Sequence, residues 1–292
     1  MKKSLLIVCL LFIALAKGQE KDTIKETPKE VVNESDKIKG SKIVTIEQRE
    51  IETFTSLEVE DDFEVLLIKG IKQGLEVEAD DNLHEVISTN VVGGILYIRK
   101  QKKITSAKKV SIRVTYTDDL KTINCRNKSK ITALATIELT DLKINGFEDS
   151  KIFLNADVAE FLINANDKTE IELNLKSDHA KIVLDKNASM KALINAKKID
   201  FDMYQKTEAI IEGDCDNLQL RMDNNARFKG QNMVTKNLKI LAEMSTETSI
   251  QHLENATVES RGKAKIYFYG KGKITLNTFE DEASIYKKSL SK

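Results

Sequence analysis

From Ile43 onward the chain alternates apolar and polar residues in short runs. Leu57-Glu58-Val59, Phe63-Glu64-Val65-Leu66-Leu67, Leu75-Glu76-Val77, Ile95-Leu96-Tyr97-Ile98 and Val110-Ser111-Ile112-Arg113-Val114-Thr115-Tyr116 follow one another, cut by Gly70, Gly74 and Gly93-Gly94. A period of two with β-branched and aromatic residues predicts half-buried strands. One stretch breaks the pattern: Asp80 to Ile87 reads as a short helical turn with an acidic start.

Farther along, a small residue, any residue and an apolar residue recur just after a polar turn. The small positions are Ser129, Ser150, Thr169, Ser189, Thr207, Ala226, Thr248, Ala264 and Ala283, at spacings of 21, 19, 20, 18, 19, 22, 16 and 19. At Ser189 the match is weakest, because its apolar residue, Met190, comes one place early. About ten residues after each anchor a second alternating run appears, as in Phe161-Leu162-Ile163, Ile182-Val183-Leu184 and Leu218-Gln219-Leu220. Each unit of about nineteen residues therefore holds two strands, too few to bury its own apolar side chains. Stacking of neighbours supplies the missing ladder bonds and the cover for the inward Ile, Leu and Phe, which is the logic of a parallel β-solenoid. A sandwich of hairpins would also fit the alternation. The solenoid is favoured because the phase survives nine anchors and the Asn-Gly hairpin signal occurs once, at Asn145-Gly146.

The chain opens with Lys2 and Lys3 and an apolar run from Leu5 to Ala16. Twelve residues fall short of the ~20 that span a bilayer but suit a secretory leader, so residues 1–18 are read as a signal peptide cleaved before Gln19. Residues 19–42, charged and holding the only proline, Pro28, read as a disordered linker. The expected plan continues with an N-terminal β-rich segment over 43–125, which caps the fold, solenoid repeats over 126–287 and a charged tail over 288–292. After leader removal the protein faces periplasm, outer surface or medium, with no integral membrane segment left.

Forty-six basic and forty-six acidic residues cancel and are mixed along the chain. This patterning suits solvated strand faces and excludes a nucleic-acid footprint. Of the three cysteines, Cys9 falls in the leader. Cys125 and Cys215 are expected in an oxidising compartment but four or five layers apart, beyond the ~7 Å Cα separation that a disulfide tolerates. They are predicted to be buried, unpaired thiols.

Candidate chemistry is sparse. His84, His179 and His252 lack metal-ligand spacing, and no nucleophile elbow, P-loop or dinucleotide fingerprint occurs. Asp149, Asp167, Asp185 and Asn225 could superpose into a turn ladder with oxygen ligands for Ca²⁺; Lys151, Lys168 and Lys186 are interleaved and would neutralise it. Between Arg99 and Lys109 stand Arg99, Lys100, Lys102, Lys103, Lys108 and Lys109 with no acid. That run reads as a hairpin loop kept soluble by charge, or alternatively as a contact for an anionic surface such as lipid A or acidic glycan. No catalytic, cofactor-binding or metal-ligating residue is assigned, and no cofactor is expected.

The opening from Glu52-Thr53-Phe54 through Val77-Glu78-Ala79-Asp80-Asp81-Asn82-Leu83, Gly93-Gly94-Ile95-Leu96-Tyr97-Ile98 and Val114-Thr115-Tyr116 resembles the head GIN domain family of auto-transporter adhesins of exported Bacteroidota proteins. The ending Ala264-Lys265-Ile266-Tyr267-Phe268-Tyr269-Gly270 and Ala283-Ser284-Ile285-Tyr286 is similar to the tail of that domain, so the resemblance covers about residues 43–287. It implies an all-β, right-handed parallel β-helix at the cell envelope. Members usually carry Gly-Ser-Gly at the repeat turns. Here those positions read Asn-Lys-Ser, Glu-Asp-Ser, Asp-Lys-Thr and Asn-Asn-Ala, which tolerate positive φ less freely than glycine and put tight turns and coil register in question.

The functional expectation is a non-catalytic exported envelope or cell-surface protein, an adhesin-like scaffold that contacts a protein or glycan. The alternative is a carbohydrate-active β-helix protein that binds or cleaves polysaccharide. Against cleavage, tryptophan is absent and aromatics make up 5%, so stacking platforms for sugars are scarce. End-to-end self-association through an uncapped coil and a periplasmic sensor role complete the expectations.

Overall fold

The structure, a computed structural model, describes residues 36–289. The leader and most of the stretch read as a linker lie outside the described residues. Nineteen strands belong to one hydrogen-bonded sheet that winds through the molecule, and Lys37–Lys39 and Lys103–Ser106 pair only with each other. The parallel β-solenoid is the fold.

Its unit is seen most clearly in Lys151–Ala165, a 15-residue strand bent once. Ile152, Leu154, Ala156 and Val158 point inward, Ala159 and Glu160 face out in succession, and Phe161, Ile163 and Ala165 point inward again. Two outward residues in a row flip the pleat, which turns the strand through a corner and makes a flattened two-sided coil. The two strands expected per unit are thus two arms of one continuous bent strand from Lys151–Ala165 through Glu247–Ser260. Successive coils pair in parallel, as in Ile163↔Ile182↔Phe201↔Leu220↔Ile240↔Val258. Each inward side chain therefore sits on its counterpart ~4.8 Å away, and the core is one continuous column.

After each second arm comes a turn of three residues, and its middle residue has positive φ in ten stacked turns. Asp61, Asn127, Glu148, Asp167, Lys186, Gln205, Asn224, Met244, Gly262 and Asp281 all fall between 51° and 70°. Glycine is not needed to keep the turn, because backbone bonds between turns, such as Asn187 N to Asp167 O and Lys263 N to Met244 O, hold the left-handed conformation in place.

The ladder register also relocates two repeat anchors. Ser129, Ser150, Thr169, Ala188, Thr207, Ala226, Thr246, Ala264 and Ala283 form the small-residue column, all buried except the last. Ala188 replaces Ser189 and Thr246 replaces Thr248. The spacings become 21, 19, 19, 19, 19, 20, 18 and 19, more uniform than the sequence pattern alone gave. A position that must fit against the turn selects for size, and alanine satisfies it as well as serine.

The stack begins before residue 126. Ser56–Val59 and Glu64–Lys69 pair in parallel with Thr122–Cys125 and Lys130–Ala133, and with Ile95–Lys100 and Val110–Tyr116 on the other side. Two layers of the solenoid thus lie within the segment read as a cap. Beyond them the pairing turns antiparallel: Gly74–Asp80 lies on Val110–Tyr116, Val44–Arg49 on Gly74–Asp80, and Ile87–Val92 on Ile95–Lys100. The expected helical turn is the 3-10 helix Asp81–Val86. Strand Lys37–Lys39 gives sheet structure to residues that had been read as the end of the linker. Asn145-Gly146 forms no hairpin; it ends an arm and enters a stacked turn.

Candidate interaction faces

A parallel in-register stack places outward side chains of neighbouring coils directly over one another, so like charges would repel along every column. Opposite charges are stacked in most columns, and where Lys130 faces Lys151 each lysine has an acid on its other side, Glu64 and Glu170. Lys151 lies 2.8 Å from Glu170, Lys176 2.8 Å from Asp157, Lys197 2.6 Å from Asp178 and Lys236 2.6 Å from Asp216. Each exposed pair is worth at most ~1 kcal/mol, yet the series explains why a chain so rich in charge is neutral. Amides stack too: Asn145 Nδ2 donates to Asn124 Oδ1 at 2.7 Å, and Asn164 Nδ2 to Asn145 Oδ1 at 3.0 Å.

The acidic ladder considered for Ca²⁺ does not form. Asp185 is the first residue of its turn, Asp167 the second of its own, and Asp149 and Asn225 the third of theirs, so they fall in three columns, and the two that share one are four layers apart. Asp167 meets Lys186 at 2.7 Å, and Asp149 meets Lys168 at 3.9 Å. Among the described residues no three His, Cys, Asp or Glu side chains converge as a metal site.

The histidines stand apart. His84 lies 2.9 Å from Glu47 in the cap. His179 sits at the corner between Glu160, at 3.3 Å, and Asp200, at 2.7 Å, and Lys198 also reaches Asp200 at 2.7 Å. Partial burial pushes the Asp200 carboxyl up, but Lys198 and His179 bring it below its ordinary value. His252 is buried inside the coil column, in edge contact with Phe268 at 5.0 Å.

Cys125 and Cys215 are free and buried. Cys125 starts the register Gly146, Ala165, Leu184, Met203, Met222, so the coil of Cys215 lies five layers on. Burial pushes the Cys125 thiol up to about 12 and the Cys215 thiol up to about 11, which makes both poor nucleophiles.

Two shallow grooves run across the coils. One, of about 570 Å³, crosses the outer face of the first arms between Thr132 and Glu212. The inward Leu154, Leu173 and Ala192 show through its floor, Phe153, Leu193 and Ile210 line it, and Asn155, Asn174, Glu172, Lys191 and Glu212 edge it. The second, of about 370 Å³, lies on the second arms, between Lys121 and Lys181, and includes Phe161, Leu162 and His179. Neither groove was marked in the sequence. Phe153, Leu193 and Ile210 occupy outward phases of strands 19 residues apart, a signal visible only once the register is known.

Residues 53–174 and 168–272 match the family described as "Putative auto-transporter adhesin, head GIN domain". The chain belongs to that family. No curated protein matches it. Solved structures share the fold of this head GIN chain. A "putative adhesin" from Parabacteroides merdae aligns at a TM-score of 0.65 with 15% identity, covering 87% of this chain and 99% of that one. A "putative adhesin" from Parabacteroides distasonis gives 0.62 with 16% identity, 87% and 100% covered. A "putative lipid binding protein" from the same organism gives 0.62 with 16% identity, 86% and 99% covered. At such identities the likeness speaks to fold alone, and the head GIN membership, resting on the family match, makes this an adhesin-like protein.

Proposed function

We propose that the protein is a non-catalytic, exported scaffold of the cell envelope that adheres through the first-arm groove. The observation that carries this reading is the groove itself: Phe153, Leu193 and Ile210 stand outward among charges and amides of two adjoining columns, with Glu172 and Lys191 between Phe153 and Ile210, on a backbone that each neighbouring coil braces. Aromatic and aliphatic anchors surrounded by polar groups are what a binding face needs, and a continuous ladder presents them without an ordering cost on binding. Adhesin-like family membership and the apolar leader of the sequence support an outward-facing location.

Beads coated with the protein should adhere to protein- or glycan-coated surfaces, and Phe153→Ser/Leu193→Ser should abolish adhesion while leaving the circular dichroism unchanged. Undiminished adhesion by that variant would remove the groove from the reading. Turnover of a polysaccharide, lost on changing a single acidic residue, would replace the scaffold with an enzyme.

A further inference from the structure

Ten stacked turns have three residues, and one layer departs from the rule. In the layer formed by Ile95–Lys100 and Val110–Tyr116, Ile98 stacks on Val59 and Ile112 on Val65. Val110 therefore occupies the place that Phe63 and Ser129 occupy in the next two layers, and residues 99–109 replace a three-residue turn. The excursion is eight residues longer than a turn, and its eleven residues are the basic run.

A buried carboxylate organises this excursion. Asp80 accepts backbone N–H bonds from Lys42 at 2.9 Å and from Lys108 and Lys109 at 3.1 Å. Gly40 packs on it so closely that a Cβ would lie 2.1 Å from Asp80 Oδ2. One hidden anion thus binds two lysine-bearing loops side by side. Strand Lys37–Lys39 then pairs with Lys103–Ser106 with Lys37 directly opposite Lys103. Like charges facing each other across a ladder are destabilising, and this pair lacks the flanking acids that Glu64 and Glu170 supply to the facing Lys130 and Lys151 in the solenoid.

Lys37, Lys39, Lys42, Lys102, Lys103, Lys108 and Lys109 are all exposed. Lys109 meets Glu78 at 3.6 Å. Beside them Ile43 and Ile46 are 62% and 63% exposed. Exposed apolar side chains beside lysines of which only Lys109 is paired among the described residues match a membrane surface, where the amines meet phosphates and the aliphatic groups enter the headgroup boundary.

We infer that this lysine edge of the N-terminal cap is a peripheral docking site for an anionic membrane, with lipid phosphate as its ligand. The occupant follows from charge complementarity: Lys37, Lys39, Lys42, Lys102, Lys103 and Lys108 are exposed and have no ion-pair partner among the described residues, and only Lys109 meets an acid. The site lies apart from the first-arm groove, so the two contacts can be lost separately.

The test is sedimentation of the protein with vesicles of phosphatidylglycerol and phosphatidylcholine, against phosphatidylcholine alone. Binding should require the anionic lipid and fall steeply with salt. At about five-fold per basic side chain, Lys37→Ala/Lys103→Ala should weaken it by about 25-fold, and Lys37→Glu/Lys103→Glu by more. Removal of the facing pair should leave the melting temperature unchanged or raise it, a readout that a purely structural role for the lysines would move downward. If the strand pair does not tolerate change, Lys102→Glu/Lys108→Glu carries the same test at loop positions. Binding that survives either charge reversal, or that ignores salt, overturns the proposal. Equal affinity for a soluble anionic polysaccharide, with no effect of Ile43→Ser/Ile46→Ser, overturns the membrane as occupant.

Discussion

Met244 and Gly262 occupy the same position in successive turns, at φ values of 57° and 70°. Lys263 N bonds to Met244 O at 2.8 Å, and a Cβ on Gly262 would lie 3.0 Å from Met244 Cα. The same conformation is thus held once by a residue that suits it and once by one that does not.

A methionine in the left-handed region costs about 1–2 kcal/mol relative to glycine, and glycine returns a part of that through the entropy of the unfolded chain. Met244→Gly should therefore stabilise the protein by about 1 kcal/mol, with little loss of packing because the side chain is 58% exposed. Gly262→Ala should destabilise by a similar amount or more. Urea titration of the two variants decides the matter.

Gly213 is the stricter case. Its φ is 110°, outside the reach of other residues, and a Cβ would lie 2.2 Å from Ile194 O in the coil below. Backbone against backbone cannot yield as a side chain can. Gly213→Ala should cost roughly 2–4 kcal/mol, read as a lower urea midpoint, and a loss below about 1 kcal/mol would mean the coils slide past one another more easily than their register implies.

These two glycines show what could be read from the sequence and what could not. Period and phase were legible because inward positions demand Ile, Leu and Phe at alternating places, so the solenoid and its coil length follow from Phe161, Ile182 and Leu220. The anchor column was read two places late at Thr248 and one place late at Ser189, because alanine or threonine fills a small site and the eye follows hydroxyls. Turn columns were illegible: Asp149, Asp167 and Asp185 look equivalent until the ladder shows that each occupies a different place. The lysine edge was visible as composition, from Arg99 to Lys109. Its partner strand Lys37–Lys39 was not, because three alternating residues after a polar tract carry no strand signal.

His252 is buried, with no side-chain hydrogen-bond partner among the described residues and with the Gly272 backbone against its ring. It continues the inward corner column of Cys215 and Thr235, with Gly270 above it. Burial holds its pKa below the ordinary value of 6.5, against the opposing pull of the Gly272 backbone and with a further push from Lys287. A base whose folded pKa is lowered binds its proton more readily when unfolded. Its contribution to stability is complete above pH 6.5 and declines as pH falls toward the folded value. The last coils should thus melt at lower temperature at about pH 5 than at pH 8, with a slope no steeper than about 1.4 kcal/mol per pH unit for one proton. In His252→Leu the part of the dependence that sets in below pH 6.5 should vanish, and a variant that keeps it would assign the proton elsewhere.

The two ends of the solenoid are unlike, and that limits how copies can join. At the N-terminal end Ile95–Lys100 and Val110–Tyr116 already pair with antiparallel strands of the cap, so no coil edge is open there. At the C-terminal end Lys273–Phe279 and Ser284–Lys287 each pair on one side only among the described residues, and Leu276, Phe279 and Tyr286 are exposed beside them. An open edge with apolar neighbours invites strand pairing, but a coil edge can find its like only on the C-terminal end of a second copy. Head-to-tail growth would have to pair the last coil with the cap strands Val44–Arg49 or Ile87–Val92, which run antiparallel to their neighbours rather than in coil register. Light scattering over a wide concentration range should accordingly give monomer, or monomer and dimer, with Leu276→Lys/Phe279→Lys shifting the balance toward monomer. A series of species growing beyond two would mean that the cap opens and exposes the first coil.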